Sequence, residues 1–530
     1  MRGAAGALAV LALAPGTALG ATRYVSPDGA GDGSCVAARP CSVAWAVNGA
    51  GSQPGDTIAL AGGVYADQPV DVTRELFLRG PLRGARAVFR TAVPGATAFV
   101  LEADAAGSTV TGIAVRTTGS GAVAVDVQTA ATLTDLTVTS TDAACLRISA
   151  SGARVDSSRL TQTAASPDAC LSSSESDTAW TGVHVVARRS DTAALLSGDG
   201  AIYDATFVAR GTALVLGGAP TVRRVTARGG TRGILLGGAS ALVTDSVATE
   251  SSAGGAAIYA TGGNDVLLNV TAWAPGAGAD AVHAVNGAAV VLKSTIAHGR
   301  ASDVVAEPAE DPGAGDCAGP DPCTAASAIA DHSILRGSPG VADGGANTAR
   351  PPLLVDPAHG NFRPARGSPA IDHGAYELQS GAADRAGLQR TLGLRPDIGA
   401  YETRPLAAQR PPPGDTTPPV LSQVRLGATA FRPARQGLGF AASAAPVSSL
   451  LGFFVSERSD LVGIVSRPRR GAPAIGAFVV TERAGAHRIK LSGRLNGRPL
   501  APGRYRLTLI ARDHAQNLSK QRRLRFTILP

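Results

Sequence analysis

An apolar repeat with a period of 20–25 residues is the feature that most constrains the fold of this chain. In each repeat an apolar residue is followed, at positions +3 and +5, by residues that are mostly small or apolar. The nine repeats begin at Val110, Leu133, Val155, Trp180, Ile202, Val222, Val243, Leu267 and Val291. Units this short cannot bury their apolar faces alone, so the repeat predicts a solenoid in which each unit stacks on the next.

The composition of the repeats indicates which kind of solenoid they form. They are rich in Val and Thr and are interrupted by glycine pairs such as Gly217-Gly218 and Gly229-Gly230. Helical repeats are longer and tolerate these residues poorly. A leucine-rich repeat would need a ladder of Leu with a recurrent Asn, and a β-sandwich would show spacings of about 8–12 residues. The remaining prediction is a parallel β-helix with an apolar lumen.

Two cysteines support this prediction independently. Cys145 and Cys170 occupy similar sequences, Asp-Ala-Ala-Cys-Leu and Asp-Ala-Cys-Leu, and are 25 residues apart, which is one repeat. Stacked strands are about 4.8 Å apart, and a disulfide requires a Cα separation of roughly 4.4–6.8 Å. We therefore expect a Cys145–Cys170 disulfide between successive rungs.

The N-terminus and the cysteine count predict export. Residues 1–20 combine Met1-Arg2, an apolar run and a small-residue pair, which is typical of a secretory signal. No later run is long and apolar enough to span a membrane. The six cysteines fall into close-range pairs, and an even count in an exported chain favours disulfides over zinc. Besides Cys145–Cys170, the expected pairs are Cys35–Cys41 and Cys317–Cys323.

The region after the signal resembles a known family. It contains Arg23-Tyr24-Val25, the Cys35–Cys41 loop, a short helix-compatible run and Pro54-Gly55-Asp56-Thr57-Ile58, followed by Gly63-Val64-Tyr65. This order is similar to the N-terminal cap and first rung of secreted, right-handed parallel β-helix proteins of the pectin-lyase-like class. The resemblance implies an all-β, right-handed parallel β-helix over residues 21–345, with its open end capped.

A second resemblance covers residues 346–402. The stretches Gly367-Ser-Pro-Ala-Ile-Asp372 and Asp397-Ile-Gly-Ala-Tyr-Glu402 resemble the signatures of the choice-of-anchor Q element, which follows β-helix rungs in bacterial surface and secreted proteins. The link Asp384-Arg-Ala-Gly387 departs from the family pattern by one residue. The resemblance implies a closing segment after the β-helix, although the chain shows no sorting tail.

A different module follows. Residues 403–419 form a Pro-rich linker, expected to be extended, and residues 420–530 are expected to fold as a small Ig-like or fibronectin-like β-sandwich. Six strand-like runs indicate it: 421–426, 451–456, 476–481, 487–491, 504–511 and 524–529. This module holds 19 basic and 4 acidic residues, a charge of +15 in a chain of net charge +8. Such a surface suits anionic polymers, although the arginines also fit an ordinary solvated surface.

The fold hosts both enzymes and binding proteins, so the chemistry depends on particular residues. The motifs of polygalacturonase-like hydrolases are missing apart from the half-match Ala297-His298-Gly299, and no carboxylate pair suited to inverting hydrolysis is identified. A pectate-lyase-like enzyme would need oxygen ligands that converge on Ca²⁺. The candidates for binding are Asp142, Asp168 and Asp191, which recur in turns of the repeat together with Asp280; Asp is also a common turn residue.

Asp280 and His283 are the best catalytic candidates, because an Asp/His pair can serve in acid–base chemistry. His184 is expected to point outward as a solvated residue. With only three Trp in the chain, platforms for sugar stacking are scarce.

We therefore carry two hypotheses. The first is a monomeric, secreted or cell-surface protein that binds a polysaccharide or wall polymer without catalysis or cofactor, and without specific nucleic-acid binding. The second is a carbohydrate-active enzyme, a Ca²⁺-dependent polysaccharide lyase before a glycoside hydrolase.

Overall fold

A computed structural model describes most of the chain. It describes residues 20–66, 69–119, 121, 123–308, 325–375, 377, 382–393, 395–403, 417–433, 447–469, 474–495, 498–513 and 517–530. These divide into two compact units. The N-terminal unit comprises residues 20–201 and 206–210, and the C-terminal unit comprises residues 202–205 and 211–530. The predicted domain boundaries remain predictions.

Three parallel sheets, N1, N2 and N3, form the N-terminal unit. Sheet N1 contains Thr22–Ala30, Asp56–Leu60, Leu76–Arg79, Thr109–Thr111, Thr132–Thr134, Arg154–Asp156 and Ala179–Thr181. Sheet N2 contains Val70–Val72, Phe99–Leu101, Val125–Val127, Leu146–Ile148, Leu171–Ser173 and Thr192–Leu196. Sheet N3 contains Gly63–Ala66, Ala87–Thr91, Ile113–Thr117, Thr137–Ser140, Arg159–Gln162, His184–Ala187 and Thr206–Ala209. Two short helices, Ala44–Asn48 and Ala103–Ala105, complete this unit.

The sequence repeat corresponds to one turn of this structure. The first members Val110, Leu133, Val155 and Trp180 pair in register in sheet N1 and are at most 1% exposed. Two residues after each of them the chain turns through a left-handed residue, which is Asp135 with φ 54° in the second of these repeats. Gly, Asp and Asn tolerate this conformation best. The turn explains why the next inward residues fall at +3 and +5.

The C-terminal unit repeats the pattern in sheets C1, C2 and C3. Sheet C1 contains Ala201–Tyr203, Thr221–Arg223, Leu242–Thr244, Asn264–Leu268, Ala289–Lys293, Ser327–Asp331 and Val341–Gly345. Sheet C2 contains Thr212–Leu216, Arg232–Gly237, Ala256–Thr261, Asp280–Val285 and Val304–Ala306. Sheet C3 contains Thr226–Arg228, Val247–Thr249, Thr271–Ala274 and Ile296–Gly299.

One residue of the predicted repeat was assigned wrongly. Leu267 pairs in register with Leu292, whose side chain is fully buried, whereas Val291 is only half-buried and lies on the outer face. An extra residue in this rung shifts the phase by one, and in a strand a shift of one residue moves a side chain to the opposite face.

The closing segment packs against the outer face of sheet C3. It contains the strands Leu354–Asp356 and Asn361–Pro364, joined by the short helix Pro357–His359. Phe362 and Ala400 are buried against Val247, with Trp273 partly buried beside them. The Ala400 N–H donates to Oγ1 of Thr271 at 3.0 Å. Residues of the second signature stretch thus dock on the rungs.

A buried arginine holds this segment in place. Arg390 lies 3.0 Å from Asp245 of the β-helix and 3.1 Å from Glu402, and both carboxylates are fully buried. Glu402 also accepts the Asp397 N–H at 2.9 Å and donates its own N–H to Asp384 at 2.8 Å. Burial raises the pKa of Glu402. The acidic signature residues therefore form an internal hydrogen-bond network.

The last described region is a β-sandwich. Its three-stranded sheet contains Leu421–Leu426, Ser449–Val455 and Gly485–Leu491. Its five-stranded sheet contains Ala430–Phe431, Arg522–Ile528, Gly503–Asp513, Ser459–Ser466 and Ala474–Glu482, and a small hairpin joins Arg494–Leu495 to Arg498–Pro499. Each of the six strand-like runs overlaps one of these strands, and two of the runs extend one residue beyond the strand end. Ser459–Ser466 and the short strands Ala430–Phe431, Arg494–Leu495 and Arg498–Pro499 were missed. The chain is thus all-β, a parallel β-helix followed by a small sandwich, as the sequence predicted.

Two of the three expected disulfides lie within the described residues, and the structure contains both. Cys35–Cys41 closes the N-terminal loop, and Cys145–Cys170 links neighbouring rungs with a Cα separation of 4.7 Å. The Cys317–Cys323 pair lies outside the described residues. No helix in the described part of the chain is long and apolar enough to cross a membrane.

A buried carboxyl group makes the stability of the C-terminal unit depend on pH. Asp265 is fully buried; its Oδ1 accepts the Ala241 N–H at 2.9 Å, and its Oδ2 has no hydrogen-bond partner within the described residues. Burial raises the pKa of Asp265 from 3.8 to about 6. The stability gained from the protonated Asp265 carboxyl group is therefore fully present below pH 4, and it is lost as the pH rises through about 6.

Replacing Asp265 with asparagine is expected to raise the free energy of unfolding at pH 7 by about 2–3 kcal/mol, because no buried charge must form. At pH 4 the variant and the parent should be about equally stable. Urea denaturation of both proteins between pH 4 and 7.5 measures the difference. Parallel stability curves would show that Asp265 does not titrate as described.

Candidate functional site

Asp280 and His283 lie on the outer face of sheet C2. Alternation along the strand Asp280–Val285 turns His283 outward between the buried residues Val282 and Ala284. Its register partners form an outward column, one residue per rung, and every member is half-buried. We call this the outer column; it consists of Val215, Leu235, Tyr259, His283 and Val305.

Two carboxylates hold the imidazole of His283. Its Nδ1 lies 3.1 Å from Oδ2 of Asp280, and its Nε2 lies 2.6 Å from Oε1 of Glu307. Oδ1 of Asp280 accepts the Ser302 N–H at 3.0 Å, which fixes that carboxylate. The three side chains are 14–40% exposed, so the group faces solvent rather than the lumen.

An arginine and a tyrosine extend the group to the preceding rungs. The Tyr259 ring lies 5.3 Å from the His283 ring, centroid to centroid, and Cζ of Arg232 lies 4.4 Å from the Tyr259 centroid. Stacked rungs bring these residues together, because Arg232 pairs in register with Ala256 and Ala256 with Asp280. We call this group the Tyr259–His283 cluster; it consists of Arg232, Tyr259, Asp280, His283 and Glu307.

The geometry of His283 limits the chemistry that it can perform. A neutral imidazole has one N–H donor and one acceptor nitrogen, whereas both nitrogens here face carboxylate oxygens. Both contacts are hydrogen bonds only when the ring is doubly protonated or one carboxyl carries a proton. Nε2 is therefore occupied by Glu307, and it could reach a substrate proton only after Glu307 moved away.

The remaining predicted aspartates do not join this cluster. Asp142, Asp168 and Asp191 lie in turns that lead from sheet N3 into sheet N2, whereas Asp280 begins a strand of sheet C2. Within the part of the chain that the structure describes, no three or more His, Cys, Asp or Glu side chains form a group able to hold a metal ion.

His184 and His298, the other two histidines considered above, lie in packed surroundings outside this cluster. His184 lies on the outer face of sheet N3 but is half-buried, so it is less solvated than predicted. Burial, with Arg159 and Arg188 nearby, lowers the pKa of His184. His298, from the hydrolase half-match, stacks on Trp273 at 4.1 Å, and burial lowers its pKa.

Sequence reasoning found part of the cluster. Asp280 and His283 were predicted to act together, and they are in contact. Tyr259 precedes His283 by 24 residues, one rung, so the period was a usable signal. Glu307 and Arg232 carried no such signal, because Glu307 lies two residues beyond the register partner of His283 and Arg232 reaches the cluster through its long side chain.

No protein-family model matches the chain, and no curated protein matches its sequence. Among solved structures, the chain is similar to the A-module of mannuronan C-5 epimerase AlgE4 from Azotobacter vinelandii, with 11% identity and a TM-score of 0.35 over 56% of this chain and 91% of that one. It is also similar to the Dettilon tailspike protein, with 9% identity and a TM-score of 0.36 over 90% of this chain and 92% of that one. Structural similarities with TM-scores this low do not indicate what this chain binds or does.

Proposed function

We propose that this chain is an exported, extracellular or cell-surface protein that binds a polysaccharide on the outer face of sheet C2. The observation that carries the proposal is the outer column, with the Tyr259–His283 cluster at its centre. A sugar hydroxyl both donates and accepts hydrogen bonds. Glu307 offers an exposed acceptor and Arg232 offers donors, while Val215 and Leu235 offer apolar contact along the same face.

The surroundings of the column suit an extended ligand. Rungs are about 4.8 Å apart, so the five rungs of the column extend over about 19 Å. Beside the column, Gly237 and Thr261 are small and leave the face open. The two disulfides support export, since such bonds form in oxidising compartments.

The closing segment is part of the proposal. We assign residues 346–402 to the choice-of-anchor Q type and residues 420–530 to the Ig-like type, on the motifs given above. The hydrogen bonds of Asp384, Asp397 and Glu402 support a structural role for the signature residues, which secures the segment to the rungs. Attachment to a cell surface would then fall to other residues.

Substitution of Tyr259 by alanine is expected to weaken polysaccharide binding by about tenfold or more, because it removes the centre of the column. The purified protein would be tested by calorimetry against pectate, alginate, a glycosaminoglycan and a neutral glucan. Tyr203→Ala is the matched control, since Tyr203 is a half-buried tyrosine on the outer face of sheet C1. Equal loss in both variants, or no binding to any polymer, would contradict the proposal.

Catalysis is the second candidate, and the contact between Asp280 and His283 favours it. A carboxylate that orients an imidazole is a common acid–base arrangement. Unsaturated ends and reducing ends released from the same polymers would be measured, with and without chelator. Product formation that His283→Asn abolishes while binding persists would establish an enzyme; unsaturated product lost with chelator would indicate a Ca²⁺-dependent lyase.

A further inference from the structure

A second outward column lies on sheet C3, beside the closing segment. Register pairing over four successive rungs gives its members, which are Arg228, Thr249, Trp273 and His298. Arg228 is exposed and the other three are half-buried, so the column faces solvent. We call it the C3 column. It belongs to a different sheet from the outer column, and the polysaccharide site proposed above does not use it.

The indole of Trp273 is stacked on one face only by its neighbour in the column. The His298 ring of the next rung stacks on it, with centroids 4.1 Å apart and planes 25° apart. The opposite face is therefore turned toward the preceding rung, where Thr249 is too small to continue the stack. Phe362 of the closing segment lies 5.9 Å from the indole but is tilted by 54°, so it borders the indole without stacking on it. A gap of two rungs, about 10 Å, thus separates Trp273 from Arg228.

The polar groups along this gap are open to a ligand. Among the described residues, the Arg228 guanidinium, the Thr249 hydroxyl and Nε1 of Trp273 form no hydrogen bond or ion pair. The neighbouring carboxylate of Asp204 does not supply a partner, because both of its oxygens accept hydrogen bonds from Arg224 at 2.6 Å. A ligand with acceptor oxygens would satisfy all three groups at once.

The closing segment positions the cationic end of the gap. Gly360 follows the short helix Pro357–His359 with φ 81°, and a Cβ there would lie 2.9 Å from Nη2 of Arg228. The guanidinium therefore rests against the backbone of that turn. A further cation, Arg385, lies nearby, and burial, together with Arg224 and Arg228, lowers the pKa of Arg385. This end of the gap therefore favours an anionic group.

We propose that the gap between Trp273 and Arg228 binds an acidic sugar, a pyranose ring that carries a carboxylate. The C–H face of the ring packs on the open face of Trp273, whose π-electrons carry partial negative charge. At a packing distance of about 4 Å from the indole, the ring lies over Thr249. Its carboxylate then accepts hydrogen bonds from the planar fork of Arg228, which matches a carboxylate bidentately. The site is independent of the one proposed on sheet C2.

Calorimetry of the full chain with a galacturonate trimer and with its methyl ester tests the proposal. The acid should bind at least about tenfold more tightly than the ester, because the ester carries no charge for Arg228. Arg228→Gln should weaken binding of the acid at least about tenfold. Arg116→Gln is the matched control: Arg116 is exposed on the outer face of sheet N3 and pairs with Thr139, but the next partner there is Thr161 instead of a tryptophan.

Filling the gap supplies a second test. Thr249→Phe should abolish binding of the acid and leave the thermal midpoint unchanged, whereas the equivalent Thr139→Phe should change neither. Tyr259→Ala should leave one equivalent of the trimer bound, since Tyr259 lies on sheet C2. Loss of all binding in Tyr259→Ala would place the ligand on sheet C2 and overturn the proposal. Equal affinities for acid and ester, no binding of the acid, or unchanged binding in Arg228→Gln and Thr249→Phe would overturn it as well.

Discussion

Replacing Arg390 with alanine is expected to lower the free energy that holds the closing segment on the β-helix by about 3–5 kcal/mol. The substitution leaves Asp245 and Glu402 buried together without the cation between them. Removal of one partner from a buried ion pair costs more than the pair contributes, because the remaining charge is neither solvated nor paired.

Hydrogen exchange of the backbone amides of Ile398, Gly399 and Ala400 measures this effect, since all three donate hydrogen bonds in the docked segment. Arg366→Ala is the matched control, because Arg366 is an exposed arginine of the same segment and its loss should change exchange little. Similar protection in both variants would mean that Arg390 is not needed to hold the segment on the β-helix.

Removing the disulfide between neighbouring rungs should also have a large effect. The double variant Cys145→Ala/Cys170→Ala is expected to lose about 3.5 kcal/mol of stability, because the open chain regains the entropy of a loop spanning 25 residues. Both cysteines are fully buried, and alanine keeps the site apolar.

The disulfide Cys35–Cys41 provides the comparison for this prediction. It spans a separation of only 6 residues, so the same argument gives a loss of about 2.2 kcal/mol for its double alanine variant. Chemical denaturation of the two variants and the parent would be compared. A larger loss for the Cys35–Cys41 variant would show that loop entropy does not decide the ranking.

The sequence predicted the β-helix because its lumen requires apolar residues at fixed phase. Val110, Leu133 and Val155 stack in register as the period required. The pattern marked only two of the three strands in each rung. Strands such as Leu146–Ile148 and Asp280–Val285 lie in parts of the repeat where loop lengths vary, so no constant spacing identified them.

The candidate site was only partly predictable for the same reason. The pair Asp280 and His283 is local in sequence, three residues apart, and was visible. Glu307 and Arg232 are distant in sequence, and only the rung register and the reach of their side chains place them beside His283 and Tyr259. The acidic signature of the closing segment was recognised as a motif, but its burial with Arg390 against Asp245 was not.

By itself, the sequence determined the fold class, the rung-to-rung disulfide and six of the strands of the sandwich, because alternation and period are local consequences of strand geometry. The tertiary structure alone decided which outward side chains share a face and where the closing segment docks. These features depend on loop lengths and on packing between distant residues, and neither of these produces a periodic pattern in the sequence.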